Sequence, residues 1–168
     1  QHQIVYNYLV VYIVVFIYKI FYVFNKFSEG YKTISKREFL KTKGWISLEL
    51  QLAIDLLNKE EAAKLAQKVE EYVDIVEIGT PIVINEGLPA VQHLNENINN
   101  AKVLADLKIM DAADYEVSQA VKYGADIVTI LGVAEDASIK AAVEEAHKHG
   151  KALLVDMIAA VSYTHLRA

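Results

Sequence analysis

Beyond about residue 48, short apolar runs alternate with segments in which apolar residues recur every three or four positions. The short runs have the length and composition of buried strands, whereas the three-to-four spacing is typical of amphipathic helices. The predicted strands are residues 50–54, 74–78, 102–108, 126–131 and 151–157, and the predicted helices are residues 58–73, 85–97, 115–123 and 136–149. This strict alternation predicts a parallel α/β sheet, and the nearly continuous apolar strands indicate that both of its faces are covered.

Local signals mark several helix boundaries. Asn58 followed by Glu61 has the pattern of a capping box. Pro89 is tolerated in the first turn of the second predicted helix, and Gly124 and Gly150 are expected to end the two helices that precede them.

The predicted strands end at a nearly constant interval. Their ends at Asp55, Glu77, Asp106, Thr129 and Asp156 are 22, 29, 23 and 27 residues apart, which is close to one eighth of a (β/α)8 barrel of ~250 residues. A doubly wound sheet is the alternative, but no G-x-G-x-x-G pattern follows the first strand. Because the chain has 168 residues, we expect an incomplete (β/α)8 TIM barrel with about the first five strands and four helices.

An apolar, helix-like segment precedes this barrel-like part. Residues 4–24 are interrupted only by Asn7 and Lys19 and are long enough to span a bilayer as a helix. The favoured alternative is translated upstream DNA, because 25 of residues 1–47 are Phe, Tyr, Ile, Asn or Lys, and the tyrosines are spread along the run instead of lying at its two ends. We therefore divide the chain into a leader (1–47), a partial barrel (48–159) and a tail (160–168) that resembles translated adapter sequence.

Composition excludes several classes of function. The absence of cysteine excludes a disulfide scaffold, a zinc-thiolate site and a cysteine nucleophile. The net charge of −5 divides into +5 over residues 1–47 (seven Lys and Arg, two Glu) and −10 over residues 48–168 (ten Lys and Arg, twenty Asp and Glu). This acidic barrel part argues against a nucleic-acid partner.

Acidic residues recur where α/β folds build their sites, at the carboxyl ends of the strands. The densest group is D-x-K-x-x-D, formed by Asp106, Lys108 and Asp111, in which the first two residues would project to one face of a strand. A lysine between two carboxylates stays charged and can move protons on an oxygen-rich substrate; a plain ion-pair cluster is the alternative. Glu77 and Asp106 end neighbouring strands and, with waters and substrate oxygens, would bind magnesium.

Five segments carry a family likeness, and they occur in order along the chain. They are residues 49–55 (ELQLAID), 76–88 (VEIGTPIVINEGL), 104–112 (LADLKIMDA), 124–132 (GADIVTILG) and 154–158 (LVDMI). Together they resemble 3-hexulose-6-phosphate synthases, which belong to the orotidine-monophosphate decarboxylase superfamily of (β/α)8 barrels. The likeness runs from about residue 48 to residue 158, and the family continues for three further strand–helix units.

The resemblance implies an aldehyde-lyase that condenses formaldehyde with ribulose 5-phosphate, through an enediolate, in the ribulose monophosphate pathway. Glu77 and Asp106 would hold magnesium, Asp55 and Lys108 would line the site, and Asp111 would reach into the partner's site of a cytoplasmic homodimer. The phosphate-binding loops lie in the later units, so we expect this chain alone to be inactive. Alternatives are the sibling 3-keto-L-gulonate-6-phosphate decarboxylase and a non-catalytic, membrane-anchored α/β module.

Overall fold

The structure is a computed structural model that describes residues 13–14 and 49–160. Its strands form one sheet in sequence order, and every neighbouring pair is parallel. The strands are β1 (Ile13–Val14), β2 (Leu50–Ile54), β3 (Ile75–Ile78), β4 (Lys102–Ile109), β5 (Ile127–Leu131) and β6 (Ala152–Asp156). The helices are α1 (Lys59–Val69), α2 (Thr80–Glu86), α3 (Pro89–Asn97), α4 (Ala113–Lys122) and α5 (Asp136–Lys148).

The two faces of the sheet have different neighbours because successive side chains of a strand point to opposite sides. On one face, residues such as Ile54, Ile78 and Val128 form a large apolar core with the buried sides of the helices. On the other face, Ile75, Leu104 and Ile127 form a smaller apolar cluster. Two positions further along each of those three strands, this second face carries polar side chains instead: Glu77, Asp106 and Thr129.

The start of α1 confirms the capping box. The Asn58 side chain accepts a hydrogen bond from the Glu61 backbone N–H at 2.8 Å, and the Glu61 carboxylate accepts one from the Asn58 N–H at 3.3 Å. These bonds satisfy backbone donors that a helix start leaves without partners inside the helix.

The prediction of one helix over residues 85–97 is wrong in its start and its continuity. Residues 80–97 form two helices, α2 and α3, separated at Gly87, whose φ is 69°. Such a left-handed value suits glycine and ends α2, while prolines in the first turns of α2 and α3 favour two separate starts. The described residues therefore contain five helices instead of the four that were expected.

Only two residues of the apolar leader are described, and they form a strand where a helix-like segment was expected. Ile13 and Val14 pair with Leu50 and Gln51 of β2. Both are β-branched, and such side chains favour strands over helices. The other predictions for residues 1–47, including the membrane anchor and the translated upstream DNA, and most of the predicted tail lie outside the described residues. No helix in the described part of the chain is long and apolar enough to cross a membrane.

Candidate active site

Asp106 lies near the carboxyl end of β4, in the middle of a hydrogen-bonded cluster. It is 5% exposed. Its Oδ1 accepts from Thr129 Oγ1 at 2.8 Å, and its Oδ2 accepts from Thr80 Oγ1 at 2.8 Å and from Lys108 Nζ at 2.8 Å. Burial alone would raise the pKa of Asp106, but the hydrogen bonds from Lys108, Thr80 and Thr129 outweigh it and hold the pKa below its ordinary value. Asp106 is therefore an ionised carboxylate with a fixed orientation.

Lys108 bridges the ends of two strands that are not neighbours in the sheet. Its Nζ lies 2.8 Å from Asp106 Oδ2 and 2.9 Å from Asp156 Oδ2 at the end of β6. Burial would lower the pKa of Lys108, but hydrogen bonds to Asp106 and Asp156 raise it above its ordinary value. The ammonium is therefore charged and held in place, about one third exposed toward the site.

In the structure Lys108 lies between two carboxylates, but they are Asp106 and Asp156 and not the predicted Asp106 and Asp111. Asp156 takes the position that the sequence pattern suggested for Asp111. Asp111 is exposed in the loop between β4 and α4, and none of the hydrogen bonds or ion pairs found in residues 49–160 joins it to Lys108. Burial and the charge of Asp111 together raise the pKa of Glu116. The proposed role of Asp111 in a partner's site stays a prediction.

Glu77, at the end of β3, is a carboxyl group whose pKa is raised to about 7. Burial is the largest cause, and the charges of Asp106 and Asp55 add to it, while a hydrogen bond from Gln51 Nε2 opposes it. The Asp55 side chain packs against Gly79, which has no Cβ to block it: a Cβ at position 79 would lie 2.0 Å from Asp55 Oδ1. The strand ends thus gather three carboxyl groups, which repel one another when all are ionised.

This arrangement fits a hard divalent cation. In the described part of the chain, no group of three or more His, Cys, Asp or Glu side chains is placed to hold a metal unaided. Magnesium, however, is bound by one or two carboxylates together with waters and substrate oxygens, and Glu77 and Asp106 provide such a pair. Beside Glu77, the buried Gln51 Oε1 has no hydrogen-bond partner within the described residues. A cation there would offset both the burial and the neighbouring negative charges that raise the Glu77 pKa.

Gln51, Thr80 and Thr129 were absent from the predicted site, and Asp156 was counted among its acidic strand ends without a role of its own. Asp156 and Thr129 were recognised as strand ends, which is a usable signal, but their contacts join β4 to β5 and β6 and depend on the three-dimensional fold. Thr80 carries no pattern in the sequence that marks it as a site residue. A polar residue inside an apolar strand, as Gln51 is, could have been singled out because burying an amide is costly.

The sequence of residues 48–166 matches the family model of the orotidine 5'-phosphate decarboxylase / HUMPS family. The chain belongs to this family. The match covers well over half of the chain, and its residue range includes every strand and helix from β2 to β6.

Curated members of the family include very similar relatives. A 3-hexulose-6-phosphate synthase of Staphylococcus epidermidis is 99% identical over 112 residues, which cover 67% of this chain and 53% of the relative. A 3-hexulose-6-phosphate synthase of Staphylococcus aureus is 80% identical over the same shares of the two chains. The chain thus spans about half the length of the curated relatives it matches.

Solved structures of the family agree with the fold. A crystal structure of a 3-hexulose-6-phosphate synthase matches with a TM-score of 0.63 and 48% identity, over 65% of this chain and 53% of that chain. A 3-keto-L-gulonate-6-phosphate decarboxylase from Vibrio cholerae matches with a TM-score of 0.66 and 28% identity, over 70% of this chain and 55% of that chain. The expected partial α/β barrel is confirmed.

Proposed function

We propose that the described residues form about half of the active site of a 3-hexulose-6-phosphate synthase. This aldehyde-lyase would join the carbon of formaldehyde to ribulose 5-phosphate, giving 3-hexulose 6-phosphate. The observation that carries the proposal is the charged Lys108 held between Asp106 and Asp156 at the carboxyl ends of parallel strands, where barrels of this kind place catalytic groups. The high identity to relatives that bear this name supports the same reaction.

In this proposal each side chain acts according to its protonation state. The Asp55 carboxylate takes a proton from the carbon next to the carbonyl group of the sugar phosphate, and the resulting enediolate forms a carbon–carbon bond to formaldehyde, whose oxygen then takes up a proton. Asp55 afterwards passes its proton back to Lys108, which restores both groups. Lys108, whose Nζ is charged, stabilises the negative charge and supplies a proton at that oxygen. Magnesium, held by Glu77 and Asp106, would polarise the carbonyl groups of the substrates when bound. Asp55 and the carboxyl of Glu77 orient the hydroxyl groups of the sugar.

The remaining parts of the proposal concern partners and location. The substrates are small molecules, a sugar phosphate and formaldehyde, and the net charge of −10 over residues 48–168 disfavours a nucleic-acid partner. We propose a cytoplasmic enzyme of the ribulose monophosphate pathway that works as a homodimer, with Asp111 facing the partner's site. The exposed position of Asp111 leaves its carboxylate accessible for such a contact.

The test uses a full-length hybrid, in which residues 48–159 of this chain replace the matched residues of the Staphylococcus epidermidis relative. We expect the hybrid to consume formaldehyde only when both ribulose 5-phosphate and magnesium are present. Chelation of the metal should stop the reaction, and added magnesium should restore it. A hybrid that folds but does not form 3-hexulose 6-phosphate would contradict the proposal.

The decarboxylase reaction is the second candidate, because the Vibrio cholerae decarboxylase matches the fold as well as the synthase does. Carbon dioxide release from 3-keto-L-gulonate 6-phosphate by the same hybrid distinguishes the two. We expect this release to be far slower than formaldehyde consumption, because the sequence identity to the solved synthase is 48% against 28% to the decarboxylase.

A further inference from the structure

Strand β4 carries two more residues than β5 where it passes Thr129. Ala105 pairs with Val128 and Ile109 pairs with Ile130, so four steps along β4 correspond to two along β5. Within this bulge Lys108 has a φ of 49°. A left-handed conformation is uncommon for a lysine, and it persists only where the surrounding structure enforces it.

The Thr129 hydroxyl supplies a hydrogen bond to the bulged segment. The Lys108 backbone N–H donates to Thr129 Oγ1 at 2.9 Å, and the same Oγ1 donates to Asp106 Oδ1 at 2.8 Å. A hydroxyl has one proton and two lone pairs, so these two bonds use its only proton and fix its orientation. Thr129 is 3% exposed, and loss of its hydroxyl would leave the partly buried Lys108 N–H without this partner.

We propose that Thr129 is a positioning residue that holds the backbone of Lys108 and the carboxylate of Asp106 in their working arrangement. From this fixed backbone the Lys108 side chain reaches Asp106 at 2.8 Å and Asp156 at 2.9 Å. Thr129 acts through these groups and has no contact with substrate in the proposed reaction. The inference rests on the proposed function, because the position of Lys108 affects the rate only if Lys108 and Asp106 take part.

Two substitutions at position 129 distinguish the contribution of the hydroxyl from that of the side-chain shape. Thr129→Val keeps the branched shape and removes the hydroxyl, whereas Thr129→Ser keeps the hydroxyl and removes a methyl group. Ile130→Val is the matched packing control, since Ile130 is fully buried in the same strand but belongs to the core on the other face of the sheet.

In the full-length hybrid we expect Thr129→Val to lower kcat roughly 10- to 100-fold with little change in KM for ribulose 5-phosphate. Thr129→Ser should keep most of the parent's kcat, and Ile130→Val should keep kcat while lowering thermal stability slightly. A merely structural role would instead lower stability in both variants at position 129 without this split between kcat and KM.

A second measurement does not depend on activity. Hydrogen exchange of the Lys108 amide, followed by NMR, should be severalfold faster in Thr129→Val than in the parent hybrid or in Thr129→Ser. Parent-like kcat in Thr129→Val would overturn the inference, as would equal losses of kcat in both variants with unchanged exchange at Lys108. If the parent hybrid itself forms no 3-hexulose 6-phosphate, the proposed function fails, and unchanged exchange in Thr129→Val would then overturn the positioning role separately.

Discussion

At the scale of single residues, Glu77 makes the site sensitive to pH near neutrality. Burial and the charges of Asp106 and Asp55 raise its pKa from 4.5 to about 7. The folded state therefore binds the proton of the Glu77 carboxyl more tightly than the unfolded chain does. Between about pH 4.5 and pH 7 the carboxyl is mostly protonated in the folded state and mostly ionised in the unfolded chain. The contribution of Glu77 to stability is fully present below about pH 4.5 and is lost as the pH rises through about 7.

The first prediction follows from this loss of stability with rising pH. Between pH 5.5 and pH 8, the parent hybrid should lose more thermal stability than the Glu77→Gln variant, by roughly 4 °C or more, because glutamine cannot ionise. Magnesium should raise the melting temperature of the parent more at pH 8 than at pH 5.5, since the metal binds the ionised carboxyl. Thermal melts at both pH values, with and without magnesium, test this; parallel curves for the two proteins would contradict it.

The second prediction concerns Asp106 and Lys108. Asp106→Asn and Lys108→Ala should each lower kcat of the full-length hybrid by at least about 100-fold, because each removes one member of the charged pair that lies at the proposed reaction centre. Circular dichroism should show an unchanged fold. Lys151→Ala is the control: it breaks the 2.7 Å ion pair with Asp126 near the amino ends of β5 and β6, far from the carboxyl ends, and should leave kcat unchanged.

At the scale of elements, the junction of β3 and α2 depends on Gly79. Its N–H donates to Ile54 O at 2.9 Å, which brings the start of α2 close to the end of β2. A Cβ on Gly79 would lie 2.8 Å from that backbone oxygen and 2.0 Å from Asp55 Oδ1. The Asp55 side chain could move away, but the Ile54 carbonyl could move only together with its strand.

The third prediction is that Gly79→Ala destabilises the hybrid by about 1–3 kcal/mol, the usual cost of overpacking, and also lowers kcat because Asp55 is displaced. Gly132→Ala is the matched control at the end of β5. There the nearest atoms to a new Cβ lie 3.1 Å away or more, and the nearest belong to the Met157 and Val155 side chains. Urea unfolding of the two variants should show the larger loss at Gly79; equal losses would contradict this account.

Local signals were sufficient to predict most elements from the sequence. The Asn58–Glu61 capping box and the stop at Gly124 each act on a helix end only a few residues away. The structure places α1 and α4 close to the predicted positions. The division of residues 80–97 was missed, although Gly87 and Pro89 are both visible in the sequence. The apolar periodicity continues across this break and favoured one helix. The helix nevertheless ends at Gly87, which adopts a positive φ of 69°.

The site was less predictable than the fold. Strand periodicity predicted that Glu77 and Asp106 lie side by side at the ends of β3 and β4, whereas Lys108 lies in an irregular part of β4 to which regular alternation does not apply. The ion pair between Lys108 and Asp156 joins residues 48 positions apart. It is made from a bulge in β4 that the sequence pattern of this strand does not predict. Tertiary contacts such as those of Thr129 therefore had to come from the structure.

At the scale of the whole molecule, the polar face of the sheet is only partly enclosed. The described strands run from β1 to β6, whereas an eight-stranded barrel closes its sheet and fills the interior with side chains from all strands. All five residues of β6 are at least partly exposed, in contrast to the buried centre of β4. The Lys108 and Asp156 side chains are themselves 35% and 24% exposed, so in the described residues water reaches these charged groups.

The fourth prediction follows from this exposure and from the half-length match to the relatives. The 168-residue chain assayed alone should consume formaldehyde at least about 100-fold more slowly than the full-length hybrid at equal concentration. Water weakens the electrostatic stabilisation that a closed site provides, and barrels of this kind bind phosphate through the loops after strands seven and eight. Parallel assays with ribulose 5-phosphate and magnesium measure the ratio. Equal rates would show that residues 49–160 hold the sugar phosphate without those loops, and the phosphate would then have to be bound by the groups around Lys108 themselves.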